Sequence, residues 1–168
     1  MTDAKDPTRQ PAAGGARPAP GDEVPGFTAQ TTAGKAALSD FAGSKLVLYF
    51  YPKDSTPGCT TQSADFAGAY RQFRDAGAEI LGVSRDSLKS HAGFKSKMSF
   101  PFELVSDPDE ALCEQFGVMK MKNMYGKQVR GIERSTFVID ATGRLAREWR
   151  GVKVPGHVAE VLDYVSTL

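Results

Sequence analysis

One cysteine stands where an apolar segment meets a predicted helix. Residues 46–51 are apolar without alternation, which predicts a strand that is buried on both faces. Pro52 ends this strand because proline cannot donate a hydrogen bond to a sheet. Thr56 and Pro57 then predict a helix start, with a hydroxyl at the N-cap and a proline at the first helical position. Cys59 is therefore expected to be the third residue of that helix.

This position favours a reactive thiol. The first turn of a helix has backbone N–H groups without intrahelical partners and carries the positive end of the helix dipole. Both features favour the nucleophilic thiolate over the thiol. Gly58 leaves space beside the sulfur, so a substrate can approach the backbone closely. The alternative for Cys59 is a buried structural cysteine, which is the usual role of this residue type.

Thr56 has a structural and a chemical interpretation. As the N-cap, its side-chain oxygen is expected to accept a hydrogen bond from the Cys59 N–H. That bond would leave the hydroxyl proton free for the sulfur or for a substrate. The plain alternative is a helix cap with no further role, which alone contributes about 1 kcal/mol to stability. The two roles are compatible.

Strands and helices alternate along the rest of the chain and must position these residues. In the first half of the chain, the apolar patterns and turn residues predict a hairpin turn at 31–34, a strand from near 45, a helix over 57–76, a strand at 79–84 and a helix over 87–97. In the second half they predict a strand at 102–105, a short helix opening at 107 and an irregular polar loop at 118–130. Two strands at 135–139 and 145–149 around a hairpin turn and a last amphipathic helix after 156 complete the prediction. This order predicts a layered α/β domain.

Composition and charge limit the possible partners. The 168 residues fit one domain, and 40% hydrophobic residues suffice for a sizeable core. Residues 1–20 are rich in alanine, proline and glycine, so a disordered tail is expected before a domain over residues 21–168. The formal net charge of +1 gives no electrostatic reason to expect nucleic acid or an anionic membrane as a partner. No apolar segment approaches the roughly 18 residues of a membrane span.

The cysteine and histidine content points to a cytoplasmic protein without a metal site. Two cysteines are too few for a disulfide scaffold and fit a reducing compartment. The N-terminus lacks the apolar core of a secretory signal, and Asp3 and Asp6 argue against a transit peptide. His91 and His157 are far apart in sequence, and neither has a thiol in a zinc pattern, so surface or helix positions are expected for both.

Residues 51–61 resemble the active-site loop of the peroxiredoxins. The segment reads YPKDSTPGCTT and is most similar to that of the bacterioferritin comigratory protein group, also called peroxiredoxin Q. The resemblance continues in order and approximate spacing from Gly21 to the C-terminus, through GVSRDS at 82–87, LVSD at 104–107, CEQFGV at 113–118, YGK at 125–127 and GIERSTFVID at 131–140. It implies a thioredoxin-like fold of the peroxiredoxin type, with a central mixed β-sheet flanked by helices.

The same resemblance implies a thiol peroxidase that reduces hydrogen peroxide and organic hydroperoxides in antioxidant defence, without a metal, haem or flavin. Cys59 would attack the peroxide and become a sulfenic acid, and Thr56 would orient the peroxide. Pro52, whose plain interpretation is a strand terminator, would shield the thiolate. Arg134 would reach the cysteine, favour its thiolate and help to bind the peroxide, although on sequence alone it would be a solvated arginine.

The chain departs from the family pattern at the second cysteine. Many members of the group carry a resolving cysteine five residues after the first, where this chain has Ala64. Another subgroup places it on the next helix, where residues 94–97 contain none. Cys113 is the only other thiol and is expected to be a structural core residue. We therefore expect a one-cysteine mechanism, resolved by thioredoxin, by glutaredoxin with glutathione, or by another external thiol. The resemblance suggests a monomer.

Three alternatives stay open from the sequence. An atypical two-cysteine enzyme would use Cys113 to resolve Cys59 through a large rearrangement. A peroxide sensor would relay the oxidation to a partner without turnover. A thioredoxin-like disulfide oxidoreductase normally needs Cys-x-x-Cys, and residues 59–62 lack the second cysteine.

Overall fold

The computed structural model describes residues 17–168 and contains the predicted alternation of strands and helices. The strands are β1 Thr28–Thr31, β2 Gly34–Ala37, β3 Lys45–Phe50, β4 Ala78–Ser84, β5 Glu103–Ser106, β6 Met119–Met124, β7 Lys127–Ile132, β8 Ser135–Ile139 and β9 Leu145–Arg150. The helices are α1 Pro57–Gly68, α2 Tyr70–Asp75, α3 Leu88–Met98, α4 Ala111–Gln115 and α5 His157–Thr167, with a 3₁₀ turn at Leu38–Phe41. The expected disordered tail falls largely on residues 1–16, which lie outside the described residues.

Seven of the described strands form one mixed sheet in the order β2-β1-β5-β4-β3-β8-β9. The apolar strand β3 lies inside it, parallel to β4 on one side and antiparallel to β8 on the other. Residues 46–50 of this strand are all buried. The prediction of a strand buried on both faces is therefore confirmed. None of the helices in residues 17–168 is long and apolar enough to cross a membrane.

The side chains of β3 alternate between two hydrophobic cores, because successive residues of a strand point to opposite faces of the sheet. Tyr49 belongs to the first core, which also contains Phe66 of α1 and Val161 of α5. Phe50 belongs to the second core, which also contains Phe116 at the end of α4. Helices thus cover both faces, and the expected central mixed sheet flanked by helices is present.

The helix predicted over residues 57–76 is two helices and not one. The break falls at Ala69, which leaves the helical conformation with φ −102° and ψ 4°. Gly68 directly before it is a poor helix former. The apolar periodicity nevertheless continues across the break, since Phe66 and Phe73 reach the same core with ring centroids 5.8 Å apart. The hydrophobic pattern therefore did not predict the break at Ala69.

The segment predicted as an irregular loop at 118–130 is a β-hairpin. β6 and β7 pair in antiparallel register and are joined by Tyr125 and Gly126, whose φ angles are 54° and 81°. Two consecutive positive φ angles are typical of a type I′ hairpin turn. The loop prediction was wrong because the segment is mostly polar and most residues of both strands are exposed, so the short alternation of Met and Lys over residues 119–122 was not recognised as a strand.

Two connections bring distant parts of the chain to the C-terminal end of β3. The chain leaves β3 at Phe50, turns through residues 51–56 and starts α1 at Pro57. Phe50 also pairs with Ser135 at the start of β8. Arg134 precedes β8 directly, so it enters the same end of the sheet as the turn before α1.

Candidate active site

Cys59 lies in the first turn of α1, as the capping pattern predicted. Thr56 is the N-cap, and the Thr60 N–H donates to the Thr56 carbonyl at 2.8 Å. The Cys59 side chain is only 1% exposed and belongs to the first hydrophobic core. A sulfur atom is thus buried at a helix N-terminus, where the peptide dipoles favour negative charge.

The structure brings Arg134 into contact with the Cys59 sulfur. Its Nη2 donates to Sγ at 3.5 Å, and its Nη1 donates to Oε1 of Gln62 at 2.6 Å. The bond to Gln62 fixes the plane of the guanidinium, so the second donor stays directed at the sulfur. A permanent positive charge therefore lies beside the thiol.

Gly58 allows this close contact. A Cβ atom at position 58 would lie 3.2 Å from Nη2 of Arg134. That spacing is tighter than nine in ten real contacts of a Cβ atom, so with a larger residue the guanidinium would have to shift by a few tenths of an ångström. The sequence indicated that Gly58 makes room for a substrate, and in the structure the group that needs the room is the arginine.

The Thr56 hydroxyl is bonded differently from the sequence-based expectation. It donates to the Lys53 carbonyl at 2.8 Å and makes no side-chain capping bond, so the expected bond from the Cys59 N–H is absent. Ser55 explains the difference. Its φ of 63° is left-handed, which folds the chain so that the Lys53 carbonyl comes within reach of Thr56. The proton of the hydroxyl is therefore engaged, while the oxygen can still accept a hydrogen bond.

Pro52 lies two residues after the end of β3 and is half-buried. It comes immediately after Tyr51, whose N–H still donates to the Val83 carbonyl at 3.0 Å. The prediction that proline ends the strand is confirmed, because β3 stops at Phe50 and the ladder ends with that last bond. Its proposed second role, shielding the thiolate, is a question of mechanism.

Gln62 is a site residue that the sequence analysis missed. It is fully buried, its Oε1 accepts from Arg134, and its Nε2 has no partner among the described residues. It lies three residues after Cys59, and residues at this spacing share one face of a helix. The spacing could have predicted that Gln62 shares a helix face with Cys59, but it could not have predicted the hydrogen bond to Arg134.

Lys122 on β6 adds a second positive charge that was also missed. Partial burial, and next the charge of Arg134, hold the pKa of Lys122 below its usual range, while a negative charge on Cys59 acts in the opposite direction. Its ammonium donates to the Ile132 carbonyl across the hairpin. Because this segment was predicted to be a loop, no pattern in the sequence indicated that Lys122 lies near the site.

The two histidines lie on helices, as expected, but neither is on the surface. His91 of α3 is fully buried and His157 of α5 is 4% exposed. His157 Nε2 lies 2.8 Å from the Thr136 hydroxyl, and burial lowers the pKa of its imidazole. The expectation of surface or helix positions is met by the helices, and both helices turn these side chains towards the sheet.

Cys113 lies away from this site, in the second hydrophobic core on the other face of the sheet. It is fully buried in α4, and its backbone N–H donates to the Asp107 carboxylate at 2.8 Å. Burial, and next the negative charge of Asp107, raise the pKa of the Cys113 thiol far above its usual range. This thiol is therefore held in its unreactive protonated form.

The arrangement around Cys59 is suited to nucleophilic attack by sulfur on a small polar molecule. The helix N-terminus and Arg134 favour the thiolate, Arg134 can donate to an approaching oxygen, and Thr56 can accept from it. Burial in apolar surroundings strengthens each of these electrostatic contacts.

Comparison with known proteins gives a consistent set of relatives. The family model described as AhpC/TSA family matches residues 20–148, a range that includes both Cys59 and Arg134. Peroxiredoxin Bcp of Xanthomonas campestris pv. campestris is 59% identical over 128 residues, which are 76% of this chain and 80% of the relative. Peroxiredoxin Bcp of Bacillus subtilis is 53% identical over 126 residues, which are 75% of this chain and 80% of the relative.

A solved structure matches the fold as well as the sequence. The bacterioferritin comigratory protein of Xanthomonas campestris superposes with a TM-score of 0.80 at 54% identity. Its trapped intermediate and ligand complex structures concern its alkyl peroxide reduction activity. The superposition covers 84% of this chain and 90% of that one.

Proposed function

Since this chain belongs to the AhpC/TSA family and is one of its Bcp peroxiredoxins, with their thioredoxin-like fold, it is a thiol peroxidase, and we propose that Cys59 is the residue that its substrate oxidises. The observation that carries this proposal is the contact between the Cys59 sulfur and the Arg134 guanidinium at the N-terminus of α1. It places a fixed cation beside a buried nucleophile, which is what the reaction requires.

In the oxidation step the Cys59 thiolate attacks one oxygen of a hydroperoxide ROOH. The S–O bond forms as the O–O bond breaks, and the departing RO⁻ takes up a proton to leave as ROH. The sulfur is thereby oxidised to a sulfenic acid and the peroxide is reduced to an alcohol, or to water when R is hydrogen. Negative charge moves from sulfur to the leaving oxygen. Arg134 remains charged throughout and can donate to both atoms.

Thr56 and Pro52 complete the proposed site. The Thr56 hydroxyl donates to Lys53, so its oxygen is left to accept from the O–H of the peroxide. This sets the direction in which the peroxide enters. Pro52 offers an apolar ring without an N–H donor at the end of β3, and it would keep water from the thiolate.

For the second half of the cycle we propose resolution by an external thiol. The sulfenic acid condenses with a thiol R′SH to give a mixed disulfide and water, and a second thiol then displaces Cys59 and leaves as R′S–SR′. Two observations support this proposal: Ala64 stands at the usual resolving position, and Cys113 belongs to the core on the opposite face of the sheet. Thioredoxin, or glutaredoxin with glutathione, would supply the thiols.

The relative from Xanthomonas campestris is associated with alkyl peroxide reduction. We propose that this chain likewise accepts organic hydroperoxides together with hydrogen peroxide. A cycle that ends with external thiols needs a reducing compartment, and we propose the cytoplasm. We propose that a monomer is sufficient, because the residues assigned to the reaction all come from one chain.

Peroxide consumption in the presence of either reductant system tests the proposal. We expect wild type to turn over, C59S to be inactive, and R134Q to lose about 10²-fold in the rate of oxidation, since it removes a donor to the developing charge. R134K keeps the charge but not the fork of donors and should fall between wild type and R134Q.

Each failure has a distinct meaning. Turnover by C59S would contradict the assignment of the reactive residue. Rapid oxidation of Cys59 without turnover under any reductant would indicate a peroxide sensor and not a peroxidase.

A further inference from the structure

One buried carboxylate holds the turn between β3 and α1. The Asp54 side chain is 6% exposed. Its Oδ1 accepts from the Tyr51 hydroxyl at 2.7 Å, and its Oδ2 accepts from the Ser90 hydroxyl at 2.7 Å and faces Nδ1 of His91 at 2.8 Å. Three hydrogen-bonding side chains, one from the turn itself and two from α3, therefore converge on a residue five positions before Cys59.

His91 ties the turn to two further elements. Its Nδ1 lies 2.8 Å from the Asp54 carboxylate, and its Nε2 lies 2.8 Å from the Val105 carbonyl of β5. A carbonyl oxygen can only accept, so Nε2 donates this second bond. His91 is fully buried, and its hydrogen-bonded pair with Asp54 joins the turn to α3 and β5.

The backbone of the turn is held as well. The Asp54 N–H donates to Oδ2 of Asp86 at 2.9 Å, and the Ser84 hydroxyl donates to the same oxygen at 2.5 Å. Potential metal-binding atoms of Asp54, Asp86 and His91 lie within 4.8 Å of one another. Hydrogen bonds within the network use these atoms, so the cluster is complete as an anchor without an ion.

The anchored segment leads directly to the reactive thiol. Ser55 follows Asp54 in a left-handed conformation that a non-glycine residue adopts only when its surroundings hold it there. The same fold brings the Lys53 carbonyl to the Thr56 hydroxyl, and Thr56 is the N-cap of α1. Movement of Asp54 would therefore shift both Thr56 and the first turn that carries Cys59.

We propose that Asp54 and His91 are positioning residues for the oxidation of Cys59, and that their buried hydrogen-bonded pair acts through the turn to hold the first turn of α1 against Arg134. This inference rests on the proposed role of Cys59. Neither side chain touches the substrate. Their effect is on the placement of Thr56 and of the sulfur, where an error of about 1 Å can cost 10²-fold in rate.

The test compares D54N and H91Q with a matched control, D107N. Asp107 is also a buried carboxylate, 7% exposed, and it accepts from the Leu112 and Cys113 N–H groups at the start of α4. Its replacement removes a comparable anchor next to the unreactive thiol. Three quantities are measured for each folded variant: the second-order rate of Cys59 oxidation by hydrogen peroxide, the pH midpoint of Cys59 alkylation, and the free energy of unfolding.

We expect oxidation to slow by about 10-fold or more in D54N and H91Q, with a higher alkylation midpoint, while D107N loses stability but stays within about 3-fold of the wild-type rate. Equal rates in D54N, H91Q and wild type would overturn the proposal, and so would a D107N variant that slows as much as they do. If the wild-type protein consumes hydrogen peroxide no faster than C59S, Cys59 itself does not react, and it is the proposed function that fails.

A milder variant keeps the test decisive if D54N or H91Q does not fold. S90A removes one of the three donors to Asp54 from a half-buried position. We expect S90A to slow the oxidation of Cys59 by about 3-fold, and a rate equal to that of wild type would contradict the proposal. Where D54N does fold, S90A should have no further effect in the D54N background, because the two residues act as one unit. Additive losses in the double variant would contradict action through Asp54.

Discussion

Around Cys59, charge and hydrogen bonds are divided among a few side chains. Arg134 gives one donor to the sulfur and another to Gln62. Because Gln62 is neutral, it fixes the guanidinium without placing a second negative charge beside the thiolate. Thr56 uses its proton on Lys53 and keeps its oxygen for the substrate. The positive charge of the site is thus directed at the sulfur and at whatever oxygen approaches it.

Replacing Thr56 tests the hydroxyl. T56V keeps the shape but removes the acceptor for the peroxide O–H, and we expect the rate of Cys59 oxidation to fall by about 10–10²-fold. T56S keeps the oxygen and should stay within about 3-fold of wild type. Stopped-flow fluorescence of Trp149, the single tryptophan, can follow the reaction. A T56V protein as fast as wild type would exclude the hydroxyl from peroxide binding.

Gly58 and Gly68 form a matched pair on α1. In G58A the new Cβ would lie 3.2 Å from Arg134 and displace it, whereas in G68A the new Cβ meets nothing within 4 Å. We expect G58A to slow the oxidation of Cys59 by about 10-fold, and G68A to keep its rate with up to about 1 kcal/mol more stability. Steady-state assays and urea unfolding separate the two effects. Equal rates in G58A and wild type would mean that the arginine can shift without loss.

The sequence was sufficient for the position of Cys59, because Thr56 and Pro57 are local helix-start signals. It was not sufficient for the Thr56 hydrogen bond, since the left-handed Ser55 that redirects it carries no strong local signal. Arg134 was assigned only through the family resemblance. Its contact with Cys59, which lies 75 positions earlier in the chain, depends on the pairing of β3 with β8.

At the scale of elements, the turn over residues 51–56 matters most. It leaves an interior strand, carries a strained residue and starts the reactive helix, so it needs an anchor outside itself. Asp54 supplies that anchor through its bonds to Ser90 and His91 of α3. The helix that the sequence predicted over residues 87–97, with no functional role, thereby becomes part of the support of the active site.

This anchor predicts a pH dependence of stability. Burial alone would raise the pKa of Asp54, but hydrogen bonds from His91, Tyr51 and Ser90 outweigh it and lower the pKa below its ordinary value of 3.8. A carboxyl whose pKa is lowered in the folded state contributes stability that is complete above the unfolded pKa and lost as pH falls through the folded one. The contribution should therefore be constant above about pH 5, begin to fall near about pH 4 and be lost once the pH is below the lowered pKa of the folded state.

Urea unfolding of wild type and D54N at several pH values measures this contribution. We expect the difference in the free energy of unfolding to be constant from about pH 5 to 7 and to shrink below about pH 4. The exposed Asp109 supplies the control, since D109N should track wild type across the same range. A difference between wild type and D54N that does not change with pH would contradict the ionised state of Asp54.

Among the elements, those with a buried apolar face were predictable from sequence. β3, β4, β8 and α5 carry clear apolar patterns and lie where they were expected. The β6–β7 hairpin was missed because its residues are mostly polar and exposed, and the alternation of Met and Lys in β6 covers only residues 119–122. Lys122, which the hairpin brings near the site, was missed with it. The break at Ala69 was hidden because the apolar face continues on both sides.

On the scale of the whole molecule, the sheet separates the two thiols. Cys59 lies in the core on the α1 face, and Cys113 lies in the core on the α4 face. A disulfide between them would require the sheet and its helices to separate, since bridged cysteines have Cα atoms no more than about 7 Å apart. The same architecture that buries Cys113 thereby supports a one-cysteine cycle.

Replacing Cys113 tests this separation. We expect C113S to keep steady-state turnover within about 2-fold of wild type, with some loss of stability because a polar hydroxyl replaces a buried thiol. C113A avoids the polar group and serves as the control for folding. Loss of turnover in folded C113S and C113A would assign Cys113 a redox role.

The measurement that tests the central claim most directly is the intact mass of the protein after about one equivalent of hydrogen peroxide, with a sulfenic-acid trap present and no reductant. We predict one trap adduct on Cys59, with Cys113 still free. A mass lower by two hydrogens would contradict the one-cysteine mechanism, because it would mean that Cys59 and Cys113 had paired. An unchanged mass in folded, reduced protein would contradict the assignment of Cys59 as the thiol that peroxide oxidises.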